Sequence, residues 1–225
     1  ALELSPDGTT LLTAGADPVV RVYDVEDNQL IFSLPHADTV FAARFSPSGN
    51  RIVTACRDQL VRIFDTETGV LLRAIGPSAY ADSLREAKAL VKQIDGHRGE
   101  VRDVVFSQDG QRLFTVGEDN SAIIWDPETG RQIRTLLGHA GPITHIEESP
   151  DRRQLLTSSE DNTARVWDAH TGQALLSLEG HTDRLITAIY SPDGETIATL
   201  SHDGTVRLWN PKRRPHIRIA AHNDW

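Results

Sequence analysis

Short apolar-rich runs, parted by polar turn sequences, recur along the chain. The segment from 186 to 219 shows the pattern most clearly. Ile186 to Tyr190 reads as a strand, Ser191-Pro192-Asp193-Gly194 as a turn, and Thr196 to Leu200 as a second strand. His202-Asp203-Gly204 turns the chain again, Val206 to Trp209 is a third strand, and His216 to Ile219 a fourth. Proline presets φ in such a turn, and glycine tolerates positive φ. The first turn recurs as Ser5-Pro6-Asp7-Gly8, Ser46-Pro47-Ser48-Gly49, Ser107-Gln108-Asp109-Gly110 and Ser149-Pro150-Asp151-Arg152. Short strands at this spacing predict an all-β architecture.

The pattern is copied as a whole unit. Asp17, Asp58, Asp119, Asp161 and Asp203 each have a threonine four residues earlier: Thr13, Thr54, Thr115, Thr157 and Thr199. Six residues after each aspartate stands an aromatic, Tyr23, Phe64, Trp125, Trp167 or Trp209. Asp24, Asp65, Asp126, Asp168 or Asn210 follows it. A histidine stands eighteen residues before each of the last four threonines: His36, His97, His139 and His181. Successive aspartates lie 41, 61, 42 and 42 residues apart, so one unit carries an insertion. His222, within Ala221 to Trp225, falls where a further unit would open.

Units of this length, with Gly-His near one end and Trp-Asp near the other, resemble the WD40 repeat family. Gly96-His97, Gly138-His139 and Gly180-His181 supply the first element. Trp125-Asp126 and Trp167-Asp168 supply the second, with Tyr23-Asp24, Phe64-Asp65 and Trp209-Asn210 as relaxed forms. The resemblance covers nearly the whole chain. It implies a WD40-type β-propeller with five four-stranded antiparallel blades visible, as part of a larger propeller. The blades are expected at about 1–34, 35–75, 95–136, 137–178 and 179–220.

The resemblance also implies a buried hydrogen-bonded chain of His, Thr, Asp and Trp within each blade. The complete sets are His97, Thr115, Asp119, Trp125; His139, Thr157, Asp161, Trp167; and His181, Thr199, Asp203, Trp209. His36, Thr54 and Asp58 form a shorter set, because Phe64 has no proton to donate. The first unit has Thr13, Asp17 and Tyr23 without a preceding histidine. A buried aspartate must be paired or become neutral. Imidazole relays between Asp and Thr, donating from one nitrogen and accepting at the other, and indole ends the chain as a pure donor. His, Thr and Asp are also the makings of a nucleophilic triad, but their recurrence in successive units favours a structural role. Histidines held on successive blades stand too far apart to share a tetrahedral metal ion. His145, His170, His202 and His216 show no ligand spacing either. No catalytic residue, cofactor or metal is expected.

Three features depart from the repeat. Residues 76–94 form the insertion, and within Ser83 to Ile94 the spacing of Leu84, Ala87, Val91 and Ile94 predicts an amphipathic helix, with Asp82 as its cap. Val70 to Ile75 is the fourth strand counting from Asp65, which puts the helix in the connection to the next blade; counting back from His97 gives Val91 to Ile94 instead. The first placement is preferred. Glu148 occupies a position that is Leu4, Phe45, Phe106 and Tyr190 in the other units, so it should be paired or exposed at a sheet end. Finally, no closing blade built from both termini is visible, and uncapped terminal repeats expose apolar faces. With no methionine at its start, the sequence is expected to be part of a longer chain; a closed five-bladed ring and self-association are the alternatives.

The remaining composition narrows the function. The chain has 225 residues, enough for a sizeable core, and a formal charge of -9, which argues against a sequence-independent grip on nucleic acid. Lys212, Arg213 and Arg214 read as a solvated loop. No apolar run is long enough to span a bilayer. Cys56 is the only cysteine, which fits a reducing, cytoplasmic setting. No local catalytic motif is present.

A non-catalytic scaffold that binds a protein or peptide on the top face of the propeller is therefore expected. Two position classes point to that face through the resemblance. One precedes the turn aspartate: Arg57, Glu118, Glu160 and His202. The other lies five residues past the histidine: Phe41, Arg102, Thr144 and Ile186. Phe41 and Arg102 are the favoured anchors, because aromatic and arginine side chains dominate binding hot spots. The alternatives are a self-assembling repeat arc and a propeller enzyme with a small-molecule site in its channel.

Overall fold

The computed structural model describes residues 1–15, 17–77, 91–93 and 96–211. Among these the regular structure is entirely β. The first sheet contains β1 (Leu2–Leu4), β2 (Thr10–Ala14), β3 (Val19–Asp24) and β4 (Leu30–Pro35). In the second are β5 (Val40–Phe45), β6 (Arg51–Cys56), β7 (Val61–Asp65), β8 (Leu71–Gly76) and β9 (Val91–Gln93). The third holds β10 (Val101–Phe106), β11 (Leu113–Gly117), β12 (Ser121–Trp125) and β13 (Gln132–Leu137). The fourth is built of β14 (Ile143–Glu148), β15 (Gln154–Ser159), β16 (Ala164–Asp168) and β17 (Ala174–Leu178). In the fifth, β18 (Leu185–Tyr190), β19 (Ile197–Ser201) and β20 (Val206–Trp209) are described. The fourth strand expected at His216 to Ile219 and the unit opening at Ala221 lie outside the described residues.

Within each sheet, consecutive strands pair in order, and β9 alone pairs in parallel. The turn chemistry explains the tight hairpins. In four of the five first turns a serine hydroxyl donates to an aspartate two residues on, at Ser5–Asp7, Ser107–Asp109, Ser149–Asp151 and Ser191–Asp193. The same carboxylate caps the backbone N–H of Thr9, Gln111, Arg153 or Glu195. The ladder register repeats with the sequence: Leu4 faces Leu11, Phe45 faces Ile52, Phe106 faces Leu113, Glu148 faces Leu155 and Tyr190 faces Ile197.

The first strand of blades two to five carries a bulge. Val40 and Ala42 oppose Cys56 and Ala55, which leaves Phe41 out of the ladder. Arg102, Thr144 and Ile186 are left out in the same way. A bulge re-aims the side chain of its extra residue and is common beside functional sites.

The insertion differs from expectation at one point. Val91–Gln93, placed in the predicted helix, is the strand β9, running parallel to β8 with Ala74 opposite Val91. The outer edge of β8 offers unpaired backbone groups, and an intervening stretch of a dozen or more residues is what a parallel return requires. β8 itself takes the fourth place in the sheet. Residues 83–90 and 94, the remainder of the proposed helix, lie outside the described residues, as do 78–82 and 95. The excursion returns to its start: a Cβ on Gly96 would lie 3.1 Å from the Cα of Gly76.

The chain divides into two compact units, Ala1–Glu118 with Ile123–Arg134, and Asp119–Ala122 with the residues from Thr135 onward. In the first, Leu12, Val20, Val22 and Leu34 of one blade pack on Val40, Ala43, Phe45, Ile52 and Phe64 of the next. Val53, Ala55, Val61, Ile63 and Ile75 pack likewise on Val101, Val104, Phe106, Leu113 and Trp125. In the second unit, Leu156, Ala164, Val166 and Leu178 meet Leu185, Ala188, Tyr190, Ile197 and Trp209. Two acidic side chains tie neighbouring first strands together. Glu3 accepts the backbone N–H of Phe45 at 3.0 Å, and Glu147 that of Tyr190 at 2.9 Å. Glu148 is buried.

Candidate functional site

The repeated polar residues meet inside the blades. In the fourth blade, His139 Nδ1 lies 2.8 Å from Asp161 Oδ2, and Nε2 lies 2.8 Å from Thr157 Oγ1. Trp167 Nε1 donates to the same hydroxyl at 2.9 Å. Asp161 also accepts from the Ala140 N–H at 2.9 Å and from the Thr163 hydroxyl at 2.6 Å. The fifth blade repeats this with His181, Asp203 and Thr199 at 2.8 and 2.7 Å, and Trp209 at 2.9 Å. One proton arrangement satisfies each chain: Nδ1–H donates to Asp, the Thr hydroxyl donates to Nε2, and indole donates to the hydroxyl.

In the third blade, His97 Nε2 and Trp125 Nε1 each lie 2.8 Å from Thr115 Oγ1. Asp119 accepts from the Ser121 hydroxyl at 2.7 Å.

The second blade departs from its expected set. His36 Nε2 lies 2.8 Å from Thr54 Oγ1, but Nδ1 turns to the Leu34 carbonyl at 2.9 Å. Asp58 is engaged instead by both terminal nitrogens of Arg62, at 3.1 and 2.5 Å. Arg62 is buried, so its guanidinium needs a counter-charge close by, and Asp58 supplies it. Phe64 stacks edge-on to His36 at 5.8 Å between ring centroids. In the first blade, Asp17 pairs with Arg21 in a more exposed setting.

These surroundings shift the acids and bases. Burial raises the Asp161 and Asp203 carboxyls, but the hydrogen bonds from histidine, threonine and backbone outweigh it and hold both well below the usual range. Burial, helped by the charge of Arg62, pushes His36 down to about 4. Burial also pushes the Cys56 thiol up to about 11. That thiol donates to the Asp38 carbonyl at 3.2 Å. Ser159 and Ser201 stand at the same repeat position and donate to Gly141, Pro142, Asp183 and Arg184 carbonyls. Cys56 is thus a sulfur version of a repeated loop anchor. Sequence reasoning passed over this row, although Cys56, Ser159 and Ser201 each stand two residues before the turn aspartate.

As a chemical site, the relay offers little access. Thr115, Thr157 and Thr199 are buried, and each hydroxyl is already held by imidazole and indole. Among the described residues, no group of three or more His, Cys, Asp or Glu side chains is placed to hold a metal ion.

The proposed partner-binding residues fall into two groups. In the first unit they converge. The guanidinium carbon of Arg102 lies 4.9 Å from the centre of the Phe41 ring. Arg102 is ion-paired with Glu118, and with Glu100 at 3.3 Å. Arg57 donates to Glu100 at 2.6 Å. Glu100, which links the two arginines, was not singled out from sequence; its place beside the start of β10, between candidate charges, was the available signal. In the second unit, Thr144 turns inward to the Ser158 and Leu185 carbonyls at 3.1 and 3.2 Å. Ile186 and His202 are exposed and Glu160 is half-buried.

Five copies of one unit, each folded as a small antiparallel sheet with a Trp-Asp or related pair closing its third strand, define a WD-repeat protein. The WD40 family (WD domain, G-beta repeat) matches residues 1–24, 28–65, 88–126, 130–168 and 172–210, and the chain belongs to that family. Its fold is all-β, of the WD40 β-propeller type. Among curated proteins, the chain is 27% identical over 151 residues to Protein hir1 of Emericella nidulans, covering 60% of this chain and 14% of that protein. It is 26% identical over 154 residues to Protein HIR1 of Aspergillus oryzae, with the same coverage of both. A 45-residue stretch, 19% of this chain and 4% of the relative, is 44% identical to Topless-related protein 4 of Arabidopsis thaliana. The chain thus spans about one-seventh of the HIR1 relatives' length.

Proposed function

We propose that this chain is a non-catalytic interaction module that binds a protein or peptide through the loops and bulges at one end of its blades, the top face. Membership of the WD40 family supports the scaffold reading. The observation that carries the location is the bulge in the first strand of four blades, which lifts Phe41, Arg102, Thr144 and Ile186 out of the ladder. The framework around these residues repeats, while the lifted side chains differ. Of these, Phe41 and Arg102 make the strongest anchor. Arg102 is held on the Phe41 ring and between two carboxylates, so neither group loses much freedom on binding. Arg57 and Glu118 lie on the same charged cluster and offer polar contacts at its rim.

The relays support the non-catalytic reading, because their hydroxyls are enclosed. The single thiol, buried and kept protonated, supports a reducing, cytoplasmic setting. The test is quantitative binding of a captured partner to the wild-type chain and to the Phe41→Ala and Arg102→Ala variants. Loss of at least about 1–2 kcal/mol of affinity in both, with unfolding unchanged, is expected of hot-spot residues. Full affinity in both variants would remove the top-face reading.

A further inference from the structure

We infer that Arg57, in the charged cluster built on the Phe41 ring, receives a carboxylate side chain of the partner. The segment recognised is then a peptide with an Asp or Glu next to an apolar residue. This rests on the top-face reading proposed above and gives it a partner chemistry. All the residues concerned lie in the first compact unit.

The charged groups of the cluster differ in what they still offer. Both Glu100 oxygens are engaged, Oε1 by Arg57 at 2.6 Å and Oε2 by Arg102 at 3.3 Å, and its side chain is 18% exposed. Glu118 is paired with Arg102, which is itself shared between two carboxylates and the Phe41 ring. Asp38 accepts the backbone N–H of Thr39 at 2.7 Å and is half-buried. Arg57 is the exception. Among the described residues only its Nε has a partner, and its side chain, 56% exposed, is the most open of the cluster. Its two terminal nitrogens remain as a planar fork of donors.

Such a fork matches a carboxylate in a bidentate pair. Glu100 fixes the guanidinium beforehand, so less side-chain freedom is lost when a partner docks. A basic partner residue finds no such opening, because the carboxylates here are already paired or half-buried. The hydrogen bond to Glu100, with the charges of Asp38 and Glu118 nearby, keeps Arg57 charged. The same three acids repel a second negative charge, which favours a carboxylate over a phosphate. Phe41 supplies the apolar half of the site. Arg102 lies over its ring, which is only half-buried, and an apolar side chain beside the partner's acid packs on the rest. The other blades have Glu118, Glu160 and His202 at the position of Arg57, so the preference belongs to this edge alone.

A library of short peptides with amidated C-termini, panned on the immobilised chain, tests this. The amide removes the terminal carboxylate, so only side-chain acids can answer. The wild type should select Asp or Glu beside an apolar residue. For a selected peptide, Arg57→Gln should weaken binding about tenfold or more, through loss of a charge-assisted pair, with melting unchanged. Arg57→Glu should turn the selection towards Lys or Arg. Phosphoserine in place of the peptide's acid should weaken binding to the wild type. Selection of basic or uncharged peptides by the wild type, or of none, overturns the inference. So does full affinity in a folded Arg57→Gln chain, or a phosphoserine peptide that binds as well or better. Phe41→Ala separates the two readings. If it abolishes binding while Arg57→Gln retains it, the top face stands and the acidic partner falls. If Phe41→Ala, Arg102→Ala and Arg57→Gln all retain full affinity, both fall. If an Arg57 variant does not fold, the wild-type selection alone decides.

Discussion

The aspartate of the turn is asked to do one thing in the fourth and fifth blades and another in the second. Asp161 and Asp203 accept from histidine, threonine and backbone, whereas Asp58 answers Arg62. The sequence around all three is alike: a histidine 22 residues before, and an arginine four after, at Arg62, Arg165 and Arg207. Sequence spacing made the His, Thr, Asp and Trp positions legible because they recur. It did not reveal which partner the second aspartate takes, because that depends on burial. Arg62 is enclosed and must be neutralised, while Arg165 and Arg207 keep contact with water. A consequence for pH follows. The neutral form of His36 is favoured in the folded chain, with its pKa lowered from 6.5 to about 4. Protonation then favours the unfolded chain, so stability is lost as pH falls from 6.5 towards 4. Asp161 and Asp203 have depressed values, so their contribution is present above the ordinary carboxylate value of 3.8 and is lost only below it. Thermal unfolding followed from pH 7.5 to 3 should show His36→Asn with a shallower decline than wild type above pH 4. Identical slopes would mean that His36 is not buried neutral.

At the scale of elements, the strands and their turns were legible because alternation and turn chemistry act locally. The strand β9 was not. Leu84, Ala87, Val91 and Ile94 have helical spacing, but Val91–Gln93 lies against an open sheet edge, and edge pairing overrides a local preference. The two rival counts for the fourth strand each pointed to a real element, since both β8 and β9 join the sheet. The first-strand bulges were invisible for a related reason. They show only when two strands are paired, although the residues they lift had been picked out by position. The insertion leaves at Gly76 and returns beside it at Gly96, so the blade closes without it. Gly76 also has the φ of 154° that Gly138 has, at 155°, just before His139. Deleting residues 77–96 joins Gly76 directly to His97 and restores the ordinary spacing between Asp58 and Asp119. The shortened chain should fold with a cooperative melt within about 5 °C of wild type, since loop length costs little. A chain that no longer folds would show that the insertion is part of the second blade's core.

For the whole molecule, the repeat decides both what is stable and what is exposed. Neighbouring blades within each unit bury their faces against one another, so the stability of a repeat array is roughly a sum of blade and interface contributions. Fold class was readable from sequence because one pattern is written five times. The partner was not, because it depends on the few side chains that do not repeat. Phe41, Arg102, Arg57 and Glu118 were visible as residues, but their convergence, and the place of Glu100 between the two arginines, needed coordinates.

The central claim is that the recurring polar side chains hold the blades together from within. A double-mutant cycle on His139 and Asp161, read as whole-chain unfolding free energy in denaturant, tests it most directly. Asp161→Ala should cost about 2 kcal/mol, with the two residues coupled by about 1 kcal/mol or more, since removing one orphans the other. An unchanged unfolding midpoint for Asp161→Ala, or strictly additive effects, would contradict the account.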